Sequence, residues 1–238
     1  MKKEEILQKY GELLRKVDGW FAACMERHPS VISCRSGCSE CCRALFDITL
    51  LDAWYLKHGF ERLDASLKCA VLEKARERLL SLQGIWPDFH APYLLNYRPE
   101  EEWAILMPDD DETPCPLLGA DGRCLVYDYR PMTCRLHGLP LVDISGEVLF
   151  DEWCTLNFTG RNPLEVKDLR WEFNLLFREE LVIFREFTEQ LLNKPINELD
   201  TFIPTALLID FAHFPWEKWR EENPLLFRLN PVAENQNY

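Results

Sequence analysis

Cys34, Cys38, Cys41 and Cys42 place four thiols within nine residues, in the run CRSGCSECC, and four more follow at Cys115, Cys124, Cys134 and Cys154. Spacings of two and three residues let sulfurs on one loop turn toward a common centre. The chain opens Met1-Lys2-Lys3-Glu4-Glu5, without the apolar stretch of a secretory signal, which predicts a reducing, cytoplasmic setting. There, dense thiols bind metal rather than pair as disulfides. Soft thiolates select zinc, copper(I) or iron–sulfur clusters over magnesium or calcium.

Length and charge narrow the setting. With 238 residues, 47% of them hydrophobic, the chain can build a core without a metal to rescue it. One domain is expected over 1–238, with a cysteine-cluster module at 34–154 between helical flanks at 1–33 and 160–238. The formal charge of −13, before any thiolate is counted, disfavours phosphate backbones, so no nucleic-acid partner is expected. Charges interrupt every apolar run well short of the roughly 18 residues a membrane span needs, so no membrane partner is expected either.

Periodicity predicts the scaffold. Ile6, Tyr10, Leu13, Leu14, Val17, Trp20, Phe21 and Cys24 recur at three- and four-residue steps, giving a helix over 3–27 that Pro29 ends, with Cys24 in the core. Thr49 reads as the N-cap of a helix to about Lys57. Another, over 62–82, carries Leu63, Leu67, Val71, Ala75 and Leu79, ends near Gly84, and holds Cys69 as a structural or incidental thiol. Residues 85–114 read as irregular, and the acids Asp109 to Glu112 as a solvated loop, because consecutive side chains alternate in direction.

Ala120-Asp121-Gly122 predicts a small hairpin between Leu117-Leu118 and Cys124 to Tyr127. Arg130-Pro131 opens a helical turn bearing Cys134, and Ser145-Gly146 centres a second hairpin over Leu139 to Phe150. Asn162 as N-cap and Pro163 as first helical residue predict the longest helix, reaching about Leu192. Beyond Asp200, Pro204, Pro215, Pro224 and Pro231 predict an extended arm around the core, with room for one short helix. The fold class expected is mainly α with short β-hairpins, a single-domain helical scaffold around a cysteine-rich metal core.

Eight thiols divide into two four-sulfur sites, in sequence order or interleaved, or into one four-cysteine cluster with four structural or redox-active thiols left over. Adjacent side chains tend to diverge, so Cys41 and Cys42 serve together more readily on different metals or on different irons of one cluster. Arg130 and Arg135 flank Cys134. A guanidinium there offsets thiolate charge and raises a cluster's potential, and a salt bridge to one of the 40 acidic residues competes equally. His137 reads as an ordinary polar residue, since eight thiols are available. Cys34-x3-Cys38-x2-Cys41 also has the spacing of radical S-adenosylmethionine enzymes. Glu40, however, stands where those carry an aromatic, and no strand–helix alternation follows. There is no phosphate loop, dinucleotide fingerprint or arguable Ser–His–Asp set.

The whole pattern resembles the YkgJ-like cysteine-cluster family, whose members are described as zinc- or iron-chelating domains. Its marks are a CxxxCxxCC cluster (Cys34, Cys38, Cys41, Cys42), a CPxL step (Cys115, Pro116, Leu118), C-x-x-Y (Cys124, Tyr127) and RPxxCR (Arg130, Pro131, Cys134, Arg135). The likeness spans roughly 34 to 154. It implies a metal-binding module with all eight cysteines as candidate ligands. Members are often labelled iron–sulfur oxidoreductases, and flagellin lysine methylases carry a related cluster. The leading expectation is an iron–sulfur protein, its cluster of the [4Fe-4S] type held by Cys34, Cys38 and Cys41 plus at least one sulfur from the second cysteine region, acting in redox or electron transfer with an unidentified redox or protein partner. The alternatives are a structural zinc protein with closed four-cysteine Zn2+ sites, which predicts no catalysis, and a group-transfer enzyme carrying a structural cluster.

Overall fold

A computed structural model of the protein describes residues 2–108, 111–224 and 226. Asp109 and Asp110 of the acidic run, and Pro231 of the tail, lie outside the described residues. Helices are α1 (Lys2–Arg27), α2 (Leu50–Phe60), α3 (Ala65–Ile85), α4 (Glu100–Trp103), α5 (Met132–Leu136), α6 (Phe173–Leu192), α7 (Ile203–Ala206) and α8 (Trp216–Glu222). Strand β1 (Asp47–Thr49) pairs antiparallel with β4 (Asp200–Phe202), and β2 (Leu141–Val142) with β3 (Val148–Phe150). The fold is thus mainly α with two short antiparallel pairs. Among the described residues no helix is long and apolar enough to cross a membrane.

The apolar stripe of α1 is buried from Ile6 to Cys24, and it packs on α6 through Leu176, Ile183, Phe184 and Phe187. Trp20 closes this contact. Its ring stacks on Trp171 at 6.0 Å and meets Phe173 edge-on at 4.9 Å, while Nε1 donates to Leu169 O at 3.0 Å. Burial pushes the Cys24 thiol up to about 11, which suits an inert core residue. Thr49 caps α2 by accepting from Asp52 N at 3.1 Å. Gly59 in α2 has Tyr129 packed where its Cβ would be, 2.4 Å from Cγ, so α2 lies directly against the 127–129 turn. α3 buries only Val71, Ala75 and Leu82, and Cys69 is exposed on it.

Several expectations change. Asn162 does cap, accepting from Leu164 N at 3.1 Å, but what it caps is the 3-10 turn Pro163–Glu165. A second turn, Lys167–Leu169, follows, and extended backbone at Val166 and Arg170 interrupts any helix before Phe173. The interruption leaves Val166 and Leu169 in the core and frees extended backbone at Trp171 to bridge to Asp143, which a continuous helix could not do. The longest helix is α1, with 26 residues against 20 in α6. Over residues 200–224 the chain is more regular than the expected extended arm. It supplies β4 and two helices, with Pro204 inside the first turn of α7, where a missing N–H costs nothing. The Leu118/Cys124 hairpin reduces to a single bridge.

Candidate metal centre

Four short arms carry the eight thiols. The first is two consecutive turns: Cys38 N donates to Arg35 O, and the 3-10 turn Glu40–Arg43 closes with Cys42 N on Ser39 O, both at 3.0 Å. The second runs from Cys115 to Cys124, with Leu118 N on Cys115 O at 2.9 Å and Gly119 N on Arg123 O at 2.8 Å. Cys115 N donates to Cys42 O at 2.7 Å, which ties these two arms together. Their tips also meet. Gly122 has φ +77°, and a Cβ there would lie 2.9 Å from Gly37 O, so a side chain is excluded by both conformation and space.

The third arm is α5, whose first residue is anchored by Asp52: Oδ1 accepts from Met132 N at 2.9 Å. The fourth carries Cys154, whose N–H donates to Gly138 O at 3.4 Å.

All eight thiols are unpaired and partly buried. Burial raises Cys134 well above the ordinary thiol range, and charge on Cys115, Cys41 or Cys124 raises it further. Burial likewise pushes Cys115 up to about 12, with Cys124 and Cys41 adding to it. Cys124 is raised by burial and held back by the N–H of Val126 and by Arg130 and Arg135. Cys41, Cys115, Cys124 and Cys134 therefore share one electrostatic neighbourhood. Cys41 is raised most by its neighbour Cys42, so the two adjacent thiols, both carried by the 3-10 turn, still influence one another. Cys34 sits in a second group. Burial raises its thiol, Asn157 opposes this, and charge on Cys154, Cys38 or Cys41 raises it further, so Cys41 is felt by both groups.

The donor set fits a soft cation. Several thiols that each become harder to ionise as a neighbour ionises are stabilised together only when a metal ion replaces their protons. Arg130 Nε adds a buried donor with no hydrogen-bond partner among the described residues. Among those residues, however, no three His, Cys, Asp or Glu side chains already stand as ligands of one ion. The sulfurs are gathered by the fold without being set in a finished polyhedron.

Both arginines pair with Asp18 of α1: Arg130 Nη2 reaches Oδ1 at 2.8 Å, and Arg135 Nη1 reaches Oδ2. Arg135 also donates to Asp128 O at 2.8 Å and to Arg130 O at 3.0 Å. Arg130 lies 3.9 Å over the Tyr127 ring, and its charge eases ionisation of Cys41 and Cys124. His137 packs edge-on against Phe46 at 5.1 Å, and burial lowers its pKa. Sequence reasoning missed Asp18, Asp52 and Asn157. Each lies outside the cysteine motifs, and no spacing rule marks it. A groove of about 490 Å³ is lined by Trp54, Lys57, His58, Leu208, Phe211 and His213, among others, and a smaller cavity adjoins it at Trp54 and Phe211. Neither is lined by a cysteine.

Residues 33–155, just over half of the chain, match the family model CxxCxxCC, described as "Putative zinc- or iron-chelating domain". No curated protein and no solved structure matches the chain.

Proposed function

The chain belongs to the CxxCxxCC family of zinc- or iron-chelating domains, and from that premise we propose that its thiols hold an iron–sulfur cluster with a redox, electron-transferring role. The observation that carries this reading is the meeting of the cysteine arms: Cys115 N donates to Cys42 O at 2.7 Å, and the Cys115, Cys124 and Cys134 thiols are each raised by charge on Cys41. These four sulfurs are the proposed cluster ligands. The bound cluster would supply one-electron chemistry. Arg130 and Arg135, held in place by Asp18, offset the thiolate charge, and the unpaired Arg130 Nε can donate toward sulfur.

Two features favour electron transfer over group transfer. The turn residues Arg35, Ser36 and Gly37, and Asp121 beside them, are exposed, so the tips of the first two arms reach the surface. The described cavities lie against α2 and residues 208–213 rather than the thiols. The proposed partner is accordingly a redox protein that approaches over these turns.

Anaerobic purification followed by iron, acid-labile sulfide and visible absorption measurements tests the reading. Iron and sulfide are expected in equal amounts, with a broad absorption that bleaches on reduction. Cys134→Ser should remove it, and Cys69→Ser should leave it unchanged. A colourless protein with stoichiometric zinc and no labile sulfide overturns the proposal in favour of closed zinc–thiolate sites.

A further inference from the structure

We infer that Asn157 is a positioning residue of the metal centre, its side-chain amide serving as the fixed hydrogen-bond donor to the Cys34 sulfur. This rests on the reading that the thiols bind metal. Asn157 is 1% exposed and lies just beyond the family-matched segment, which ends at residue 155. Its Nδ2 stands 3.4 Å from Cys34 Sγ and 2.8 Å from Gly138 O, and its Oδ1 accepts from Ser33 N at 2.8 Å. Those partners settle which way the amide points. The Ser33 N–H can only donate and the Gly138 carbonyl can only accept, so the amide nitrogen must face the sulfur.

The surroundings preserve this contact. Gly138 has φ +113°, and a Cβ there would come within 3.3 Å of Asn157 Nδ2 and 3.5 Å of Cys34 Sγ, wedging donor and sulfur apart. Gly138 O also accepts from Cys154 N at 3.4 Å, and Asn157 N donates to Cys154 O at 2.8 Å. One buried amide thereby joins the arm of Cys34 to the arm of Cys154. A donor aimed at a thiolate stabilises it as a ligand and, on a redox cluster, draws the potential upward.

Asn157→Asp and Asn157→Ala separate this role from a structural one. Aspartate keeps an acceptor for Ser33 but turns a carboxylate toward sulfur; alanine loses every side-chain bond. Competition of the purified protein's own metal against EDTA is expected to show about 10–100-fold weaker retention in both variants, with Asp worse than Ala. If the centre is redox-active, its potential should fall in the same order. Thermal melting of the metal-stripped proteins reads the structural part: both variants should melt below wild type, since Asp sets an acceptor against the Gly138 carbonyl and Ala loses its bonds. A core variant remote from the thiols, Phe184→Leu, that lowers this melting comparably should retain metal as wild type does. Wild-type retention in both Asn157 variants, or metal loss in Phe184→Leu as large as in them, overturns the inference. Wild-type protein carrying zinc alone overturns the iron–sulfur reading only, since the same competition then decides the role of Asn157 on zinc.

Discussion

Asp52 shows what a single side chain contributes once the chain is folded. In sequence it is an acid in the first turn of a capped helix. In the structure it is 1% exposed, its Oδ1 accepting from Tyr10 OH at 2.7 Å and from Met132 N at 2.9 Å, so it fastens α1 and α2 to the helix that carries Cys134. Burial raises its pKa to about 6, against the pull of those hydrogen bonds and of Arg135. A carboxyl raised on folding gives up its proton first in the unfolded chain. Its contribution is therefore complete below about pH 4 and is lost as pH rises through about 6. Asp52→Asn removes the ionisation and keeps an acceptor. Urea unfolding should find the two proteins nearly equal at pH 4, and the variant more stable by about 1–3 kcal/mol above pH 6, at roughly 1.4 kcal/mol per pKa unit. A difference independent of pH would contradict this. The eight cysteines are legible from sequence because thiol chemistry belongs to the residue type. Asp52 and Asn157 are not, because their partners lie far along the chain.

At the scale of elements, Asp143 explains why α6 begins at Phe173 and not at Pro163. It stands in the β2–β3 turn, where Oδ2 accepts from Ser145 N at 2.9 Å, while Oδ1 accepts from Asn174 N, also at 2.9 Å. The hairpin thus caps a helix that starts some thirty residues later. The N–H groups of Asn174 and Ser145 hold its carboxyl down at about 2. A lowered carboxyl contributes stability above its unfolded pKa and loses it as pH falls toward the folded one. Asp143→Ala should cost about 1 kcal/mol at pH 7, and the deficit should shrink below pH 4. Guanidinium unfolding at pH 7 and pH 2.5 checks both. The helices α1, α2 and α5 and the second hairpin were legible because caps, breakers and apolar steps act within a few residues. The break between Asn162 and Phe173 was not, because it answers to the bridge between Trp171 and Asp143 and to a distant cap.

Over the whole molecule, the buried cluster spanning α1, α2, α6 and the segment from Ile196 to Ile209 is built from apolar side chains, and the eight candidate ligands lie at or outside its margin. Metal removal should therefore loosen the arms without melting the scaffold. After chelation, hydrogen exchange is expected to quicken around 34–43 and 115–134 while amides of α1 and α6 stay protected; cooperative loss of α1 and α6 would contradict this.

By itself the sequence determined that this is a helical chain bearing eight metal-seeking thiols, because periodicity and thiol chemistry are local. Only the tertiary structure decided which thiol-bearing segments meet: the arm of Cys42 with that of Cys115, and the arm of Cys34 with that of Cys154. That grouping depends on contacts such as Cys115 N to Cys42 O and Asn157 to Cys34 Sγ, which join segments far apart along the chain and exist only after the core has brought them together.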